Sequence, residues 1–137
     1  MVYDIVPDEF QIVDQPDIII VEGINVLQVN SSTGSSVFVS DYFDYSIYVD
    51  AQEEDLINWY IKRFESLRDT AFQNPSSYFH RYANLDKEES VAMASNIWNT
   101  INRPNLLENI LPTRYRADLI LKKGSHHFVK EVKVRKH

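Results

Sequence analysis

Apolar and polar positions recur along this chain with two different periods, and the changes of period divide it into strands and helices. Asp17-Ile18-Ile19-Ile20-Val21-Glu22-Gly23 is an apolar, β-branched run without polar alternation, bounded by Pro16 and Gly23. Such a run predicts a strand buried on both faces, as in parallel sheets covered by helices. Val37-Phe38-Val39 and Tyr45-Ser46-Ile47-Tyr48-Val49 predict two more strands, the second ending at Asp50. Ahead of them, the polar stretch Asn30 to Ser36 reads as a surface loop. Asp50 and Glu53 then stand at capping-box spacing, where each side chain satisfies a free backbone N–H at a helix start. They predict a helix from about Ala51 to Phe72. Asp86 and Glu89 repeat the spacing ahead of Val91, Ala94, Ile97, Trp98 and Ile101, and Pro104 is expected to stop that second helix. Ala117 to Leu121 predicts a strand, Gly124 a turn, and Phe128 to Val134 a returning strand. The order is α/β.

Length holds this to one domain over residues 1–137, because a 16.0 kDa chain is too short for two ordinary cores. With no cysteine, a disulfide framework, a thiolate metal site and a cysteine nucleophile are excluded. The longest purely apolar run, Ile18 to Val21, falls far short of the roughly 20 residues of a membrane span, and no signal peptide opens the chain. A cytoplasmic protein with no membrane partner is the expectation. The net charge of −6 conceals a gradient, with 6 basic and 18 acidic residues up to Pro112 and 8 basic and 2 acidic from Thr113 onward. The basic end reads either as a solvated hairpin beside an acidic body or as a cationic rim for an anionic ligand such as a nucleotide phosphate. Nucleic acid is not an expected partner of so acidic a chain.

The first predicted helix carries the most chemistry. Tyr60, Arg63, Phe64 and Leu67 recur at intervals of three and four and share a face, with Leu56 above and Ala71 below. An arginine among aromatic residues is costly unless something anionic meets it. Arg63 is either a snorkelling side chain paired with an acidic neighbour or a guanidinium aimed at a phosphoryl group. Phe72, Tyr78, Phe79 and Tyr82 follow, a density of rings that reads as core or as a ligand pocket. Asn102 reads as a helix C-cap or a substrate contact. Glu22 ends the first predicted strand, where α/β proteins place ligands, and is either held by backbone N–H groups or set near magnesium and phosphates. His126 and His127 are adjacent, so on a strand they would face opposite ways, and no metal site is expected from them.

Several longer motifs agree with one family. Asp17 to Gln28, Val37 to Asp41, Ser46 to Ala51, Trp59-Tyr-Ile-Lys-Arg-Phe64, Ser77-Tyr-Phe-His-Arg-Tyr-Ala83 and Asn109-Ile-Leu-Pro-Thr-Arg114 together resemble the carboxy-terminal portion of bacterial type I pantothenate kinase. The resemblance implies a partial P-loop kinase fold, Rossmann-like and three-layered, with a mainly parallel sheet, flanking helices and a C-terminal strand pair. It implies transfer of the ATP γ-phosphoryl group to pantothenate in coenzyme A biosynthesis, magnesium dependence, a homodimer and feedback inhibition by coenzyme A. Residue by residue, it sets Tyr60 and Asn102 on pantothenate and Arg63 near the transferring phosphoryl group; Glu22 is a second catalytic candidate on its strand-end position alone. It places Phe64, Leu67, Phe72, Tyr78, Phe79, Tyr82, Ile97 and Ile101 around the pantothenate or coenzyme A pocket, and His127 against the adenine. Leu67 and Thr70 stand where the family more often has phenylalanine and glycine, which bears on the strength of feedback.

The 137 residues hold 3 glycines and no Gly-x-x-x-x-Gly-Lys-Ser/Thr. Without that cradle of N–H groups and its lysine the nucleotide phosphates lack a seat, so the isolated chain is expected to be catalytically incompetent and to bind neither ATP nor magnesium tightly. The strand ending in Glu22-Gly23 and the Leu111-Pro112-Thr113 segment are also similar to uridine kinases and phosphoribulokinases, an alternative P-loop kinase reading. A further alternative is a non-catalytic remnant or one chain of a split enzyme, because a parallel sheet without its P-loop strand leaves an unpaired apolar edge.

Overall fold

A computed structural model of the chain describes residues 9–29 and 37–136. Its sheet has three strands in the order β1 (Ile47–Asp50), β2 (Leu119–Lys123) and β3 (Val129–Val134). β1 and β2 run parallel, with Ile47 opposite Leu119 and Asp50 opposite Lys122. β2 and β3 form an antiparallel hairpin with an irregularity between Lys122 and Lys123. The Asp118 carboxylate sets the parallel register by accepting from the Ser46 N–H at 2.9 Å and the Ser46 hydroxyl at 2.7 Å. In return the Ser46 carbonyl accepts from the Asp118 and Leu119 N–H groups. The expected C-terminal strand pair is present.

The sheet is mixed, not mainly parallel. The run Asp17 to Gly23 joins no ladder among the described residues, and Ile18, Ile19, Ile20 and Val21 are exposed rather than buried on two faces. A β-branched run becomes a strand only where neighbours take up its N–H and C=O groups and cover its side chains, and no described element does either here. Val37 to Val39 is not a strand either. Val39–Tyr42 is a 3-10 turn, pinned by the Asp41 carboxylate accepting from the Phe38 N–H at 2.8 Å. A local side-chain bond of this kind competes with strand pairing. The loop expected over Asn30 to Ser36 lies outside the described residues.

The first helix, α1, spans Glu53–Arg68, shorter than expected at both ends. Its N-cap is Gln52, and Asp50 and Glu53 form no capping box. Arginines hold both carboxylates instead: Asp50 pairs with Arg114 at 2.8 Å and Glu53 with Arg103. Charge-assisted bonds of that kind outcompete neutral backbone donors. Phe72 sits in a separate 3-10 turn, Ala71–Gln73. The second box holds. α2 (Lys87–Ile97) opens with the Asp86 carboxylate accepting from Glu89 N–H at 2.8 Å and the Glu89 carboxylate accepting from Asp86 N–H at 3.0 Å.

Pro104 does not stop the helical path. A π-helical turn, Trp98–Asn102, leads into α3 (Arg103–Asn105), followed by a second π turn, Leu106–Ile110, and a 3-10 stretch, Leu111–Arg116. The wider turn reassigns the backbone acceptors, and Pro104 falls in the first turn of α3, where its missing N–H is least costly.

Two apolar clusters result. One lies between α1 and α2, with Phe64, Phe72, Ala83 and Ala94 buried. The other lies under the sheet, where Leu27, Tyr48 and Ala117 pack with Val26, Phe43, Ile110 and Ile120. Among the described residues no helix is long and apolar enough to cross a membrane. Because the Asp86 box satisfies two backbone donors, Asp86→Ala should cost about 1 kcal/mol in a urea melt. A loss below about 0.3 kcal/mol would show that the cap contributes nothing.

Candidate functional site

The spacing on α1 brings most of the candidate residues together. Phe64 is buried and meets the Phe72 ring edge-on at 5.5 Å and the Tyr82 ring at the same distance. Phe72 in turn lies 5.3 Å from Phe79. Tyr60, Leu67, Phe79, Tyr82 and Ile97 are partly buried against this cluster. The rings pack on one another as core, and two surface concavities of about 380 and 230 Å³ lie elsewhere, beside Trp98 and beside Arg116. Tyr78 and Ile101 remain exposed. Tyr78 and Tyr82 hold the Arg81 guanidinium at 4.8 and 4.9 Å from their ring centres, an arrangement of exposed cation and aromatic faces.

Tyr60 and Asn102, 42 positions apart, also come together. Burial pushes the Tyr60 hydroxyl above its ordinary value, the Asn102 side chain opposes that shift through a hydrogen bond, and Tyr82 adds to it. Asn102 closes the π turn and is not the C-cap of a helix, because the path continues into α3, which it precedes without a side-chain capping bond. Trp98, buried, backs Tyr60 with ring centres 6.0 Å apart.

Arg63 is exposed and makes no ion pair with a described residue, so it is not the paired snorkelling side chain that one reading anticipated. Glu22 is also exposed, and no described residue bonds to it. The structure therefore does not join Glu22 to the α1 face. His126 and His127 lie in the β2–β3 turn, not on a strand. His127, at φ 67°, stacks on Trp59 with ring centres 4.2 Å apart. The Trp59 Nε1–H donates to the Ser125 carbonyl at 3.0 Å, and the Lys123 ammonium lies 5.0 Å from its ring. Sequence reasoning missed Trp59 as a positioning residue. One residue before Tyr60, it points about 100° round the helix from the aromatic face and carries no periodic signal. Arg114 carries no local signal either, since its partner Asp50 stands at capping-box spacing with Glu53.

Among the described residues no group of three or more histidine, cysteine, aspartate or glutamate side chains is placed to hold a metal ion.

No family model matches the chain. It is 60% identical over 138 residues to the pantothenate kinase of Shouchella clausii (strain KSM-K16), a match spanning 99% of this chain and 44% of that protein. It is 58% identical to the pantothenate kinase of Halalkalibacterium halodurans, over 98% of this chain and 43% of that one, and 57% identical to that of Haemophilus influenzae, over 99% and 44%. The resemblance to pantothenate kinases therefore holds along nearly the whole chain, and the chain spans less than half the length of these curated relatives.

Tyr48, like Tyr60, is pushed above its ordinary value, first by burial and then by the Asp50 charge, with Arg114 opposing. The folded state holds these protons more tightly than the unfolded chain, so stability is full below about pH 10 and falls as pH rises past it. Tyr60→Phe should make the fall in Tm between about pH 9 and 11 shallower. An unchanged fall would contradict the burial of that hydroxyl.

Proposed function

We propose that this chain is the carboxy-terminal portion of a type I pantothenate kinase and supplies the acceptor side of its active site. The observation that carries the reading is the 60% identity to a pantothenate kinase across 99% of the chain. The arrangement on α1 is compatible with it. Tyr60 and Asn102, already joined, would hold the polar end of pantothenate, and the ring cluster of Phe64, Leu67, Phe72, Phe79, Tyr82 and Ile97 would back its tail or the thiol arm of coenzyme A. Tyr78 and Ile101, both exposed, would line the open side. Arg63 is unpaired among the described residues and free to turn its donors toward a phosphoryl group. His127 would meet the adenine by the face not taken by Trp59.

In the proposed step the primary hydroxyl oxygen of pantothenate forms a bond to the γ-phosphorus of ATP and passes its proton to a general base outside these residues, the bond from that phosphorus to the β,γ-bridging oxygen breaks, and ADP leaves with the electron pair. Arg63 would offset the charge spread over the equatorial oxygens. Magnesium neutralises charge in such transfers, but the described residues do not form a site for it by themselves. The 137 residues also hold no glycine-rich phosphate loop, so the nucleotide phosphates would rest on groups outside them. Residues 1–137 as an isolated polypeptide should therefore not phosphorylate pantothenate.

The test is a single-chain hybrid in which residues 1–137 replace the matching portion of the Shouchella clausii pantothenate kinase. The hybrid should release ADP in a pantothenate-dependent manner, and Arg63→Ala should lower its kcat by about 100-fold. That substitution should leave stability within about 0.5 kcal/mol, since the side chain is exposed. A folded hybrid that phosphorylates uridine and not pantothenate, or an isolated chain that is active, would overturn the reading.

A further inference from the structure

The hairpin between β2 and β3 turns through three residues, Ser125, His126 and His127. It is closed by the His127 N–H donating to the Gly124 carbonyl at 2.9 Å and the Gly124 N–H donating to the Phe128 carbonyl at 3.0 Å. A connection of this kind sets its last loop residue in the left-handed region, where glycine sits without penalty. Here that residue is His127, at φ 67°. A side chain held at positive φ costs stability and persists where its surroundings fix it. Trp59 of α1 fixes it.

Three alternate residues of the hairpin converge on the Trp59 indole. The Ser125 carbonyl accepts from its Nε1–H at 3.0 Å, the Lys123 ammonium stands 5.0 Å from its ring centre, and the His127 imidazole stacks on it at 4.2 Å with the planes 27° apart. The hydrogen bond and the ammonium contact dock the hairpin without any side chain at 127. The histidine adds backbone strain and, in an exposed residue, keeps open the ring face that is not on the indole. That open face suits a planar heteroaromatic ring, since nucleobases stack on histidine as they do on other aromatic side chains. The stretch from Thr113 to His137 carries 8 basic and 2 acidic residues, a setting that favours an anionic compound bearing such a ring, which is to say a nucleotide.

We propose that Trp59 is a positioning residue for the nucleotide: it holds the His127 imidazole face-on for the nucleobase of ATP, with Lys123 steadying the indole, and does not itself touch the ligand. This rests on the functional reading above. A histidine in an unsupported turn would have to be ordered as the nucleotide bound, and that cost would be taken from affinity. The stack on Trp59 orders it beforehand. α1 then serves both substrates, Tyr60 on the acceptor side and Trp59, one position earlier and about 100° round the helix, on the nucleotide side.

The test measures ATP affinity by isothermal titration, and steady-state kinetics, in the single-chain hybrid. Trp59→Ala should weaken ATP binding and raise the KM for ATP by about 10-fold, with kcat and the KM for pantothenate within about twofold of the parent hybrid. Trp59→Phe, which keeps a ring under the imidazole, should recover most of that loss. His127→Gly should weaken ATP binding at least as much, and adding Trp59→Ala to it should change the affinity by less than about twofold, because the tryptophan acts through the histidine. In the 137-residue chain, proton NMR should find the His127 ring protons shifted upfield by the indole, and Trp59→Ala should abolish that shift. Equal ATP affinity in Trp59→Ala and the parent, additive losses in the double variant, or unshifted His127 ring protons would overturn the proposal. So would a Trp59→Ala hybrid that loses kcat and pantothenate affinity along with ATP, which would make the tryptophan merely structural. A hybrid that binds ATP through Trp59 and His127 and does not phosphorylate pantothenate would overturn the functional reading and leave this proposal standing.

Discussion

The parallel pairing of β1 with β2 joins residues about seventy positions apart, and nearly every other feature of the chain is arranged around it. Ser46 and Asp118 fix its register through side-chain and backbone bonds in both directions. Arg114 reaches Asp50 just beyond, which ties the end of β1 to the 3-10 stretch that delivers β2. Both members of this ion pair are largely buried, so removing either would strand a charge. The pairing also creates the chain's main unmet requirement. A parallel pair presents two apolar faces, and the described elements cover only one of them.

The helical half is built on a different interaction, the packing of aromatic rings between α1 and α2. Phe64 stands at the centre, touching Phe72 and Tyr82, and the 3-10 turns carrying Phe72 and Tyr82 are folded back onto α1 by these contacts. The same packing turns Tyr60 toward Asn102 and leaves Arg63 outside the cluster. Trp59, on another side of α1, docks the basic hairpin through His127 and Ser125. One helix thus carries three surfaces: an aromatic face, a free guanidinium at its rim, and a tryptophan that brings the β2–β3 turn alongside.

What could be read from the sequence was what depends on local pattern. The Asp86–Glu89 cap, the α1 face, β1, β2 and β3 follow from spacing and β-propensity, because their partners lie within the chain. The failures have a common cause in interactions at a distance. Asp50 and Glu53 had the spacing of a cap but lie within reach of Arg114 and Arg103, which no local rule reveals. Pro104 had the signature of a helix stop, and π turns on both sides let the path continue. Ile18 to Val21 had the composition of a buried strand, and among the described residues it lacks the neighbours that would make it one. Within the candidate site, the shared face of Tyr60, Phe64 and Leu67 was legible from helical periodicity, whereas Phe72 and Tyr82 reach it from separate 3-10 turns and Arg63, set on the same face by spacing, lies outside the cluster. The Tyr60–Asn102 contact was not legible from local pattern, since it joins α1 to a turn 42 positions further along the chain.

The most direct test of the account is a crystal structure of the single-chain hybrid grown with pantothenate. The account predicts pantothenate density with the Tyr60 hydroxyl and the Asn102 amide both within hydrogen-bond distance of the ligand, and Arg63 facing the hydroxyl that receives the phosphoryl group. Pantothenate bound away from α1, with the aromatic cluster closed as it is in the isolated chain, would contradict it.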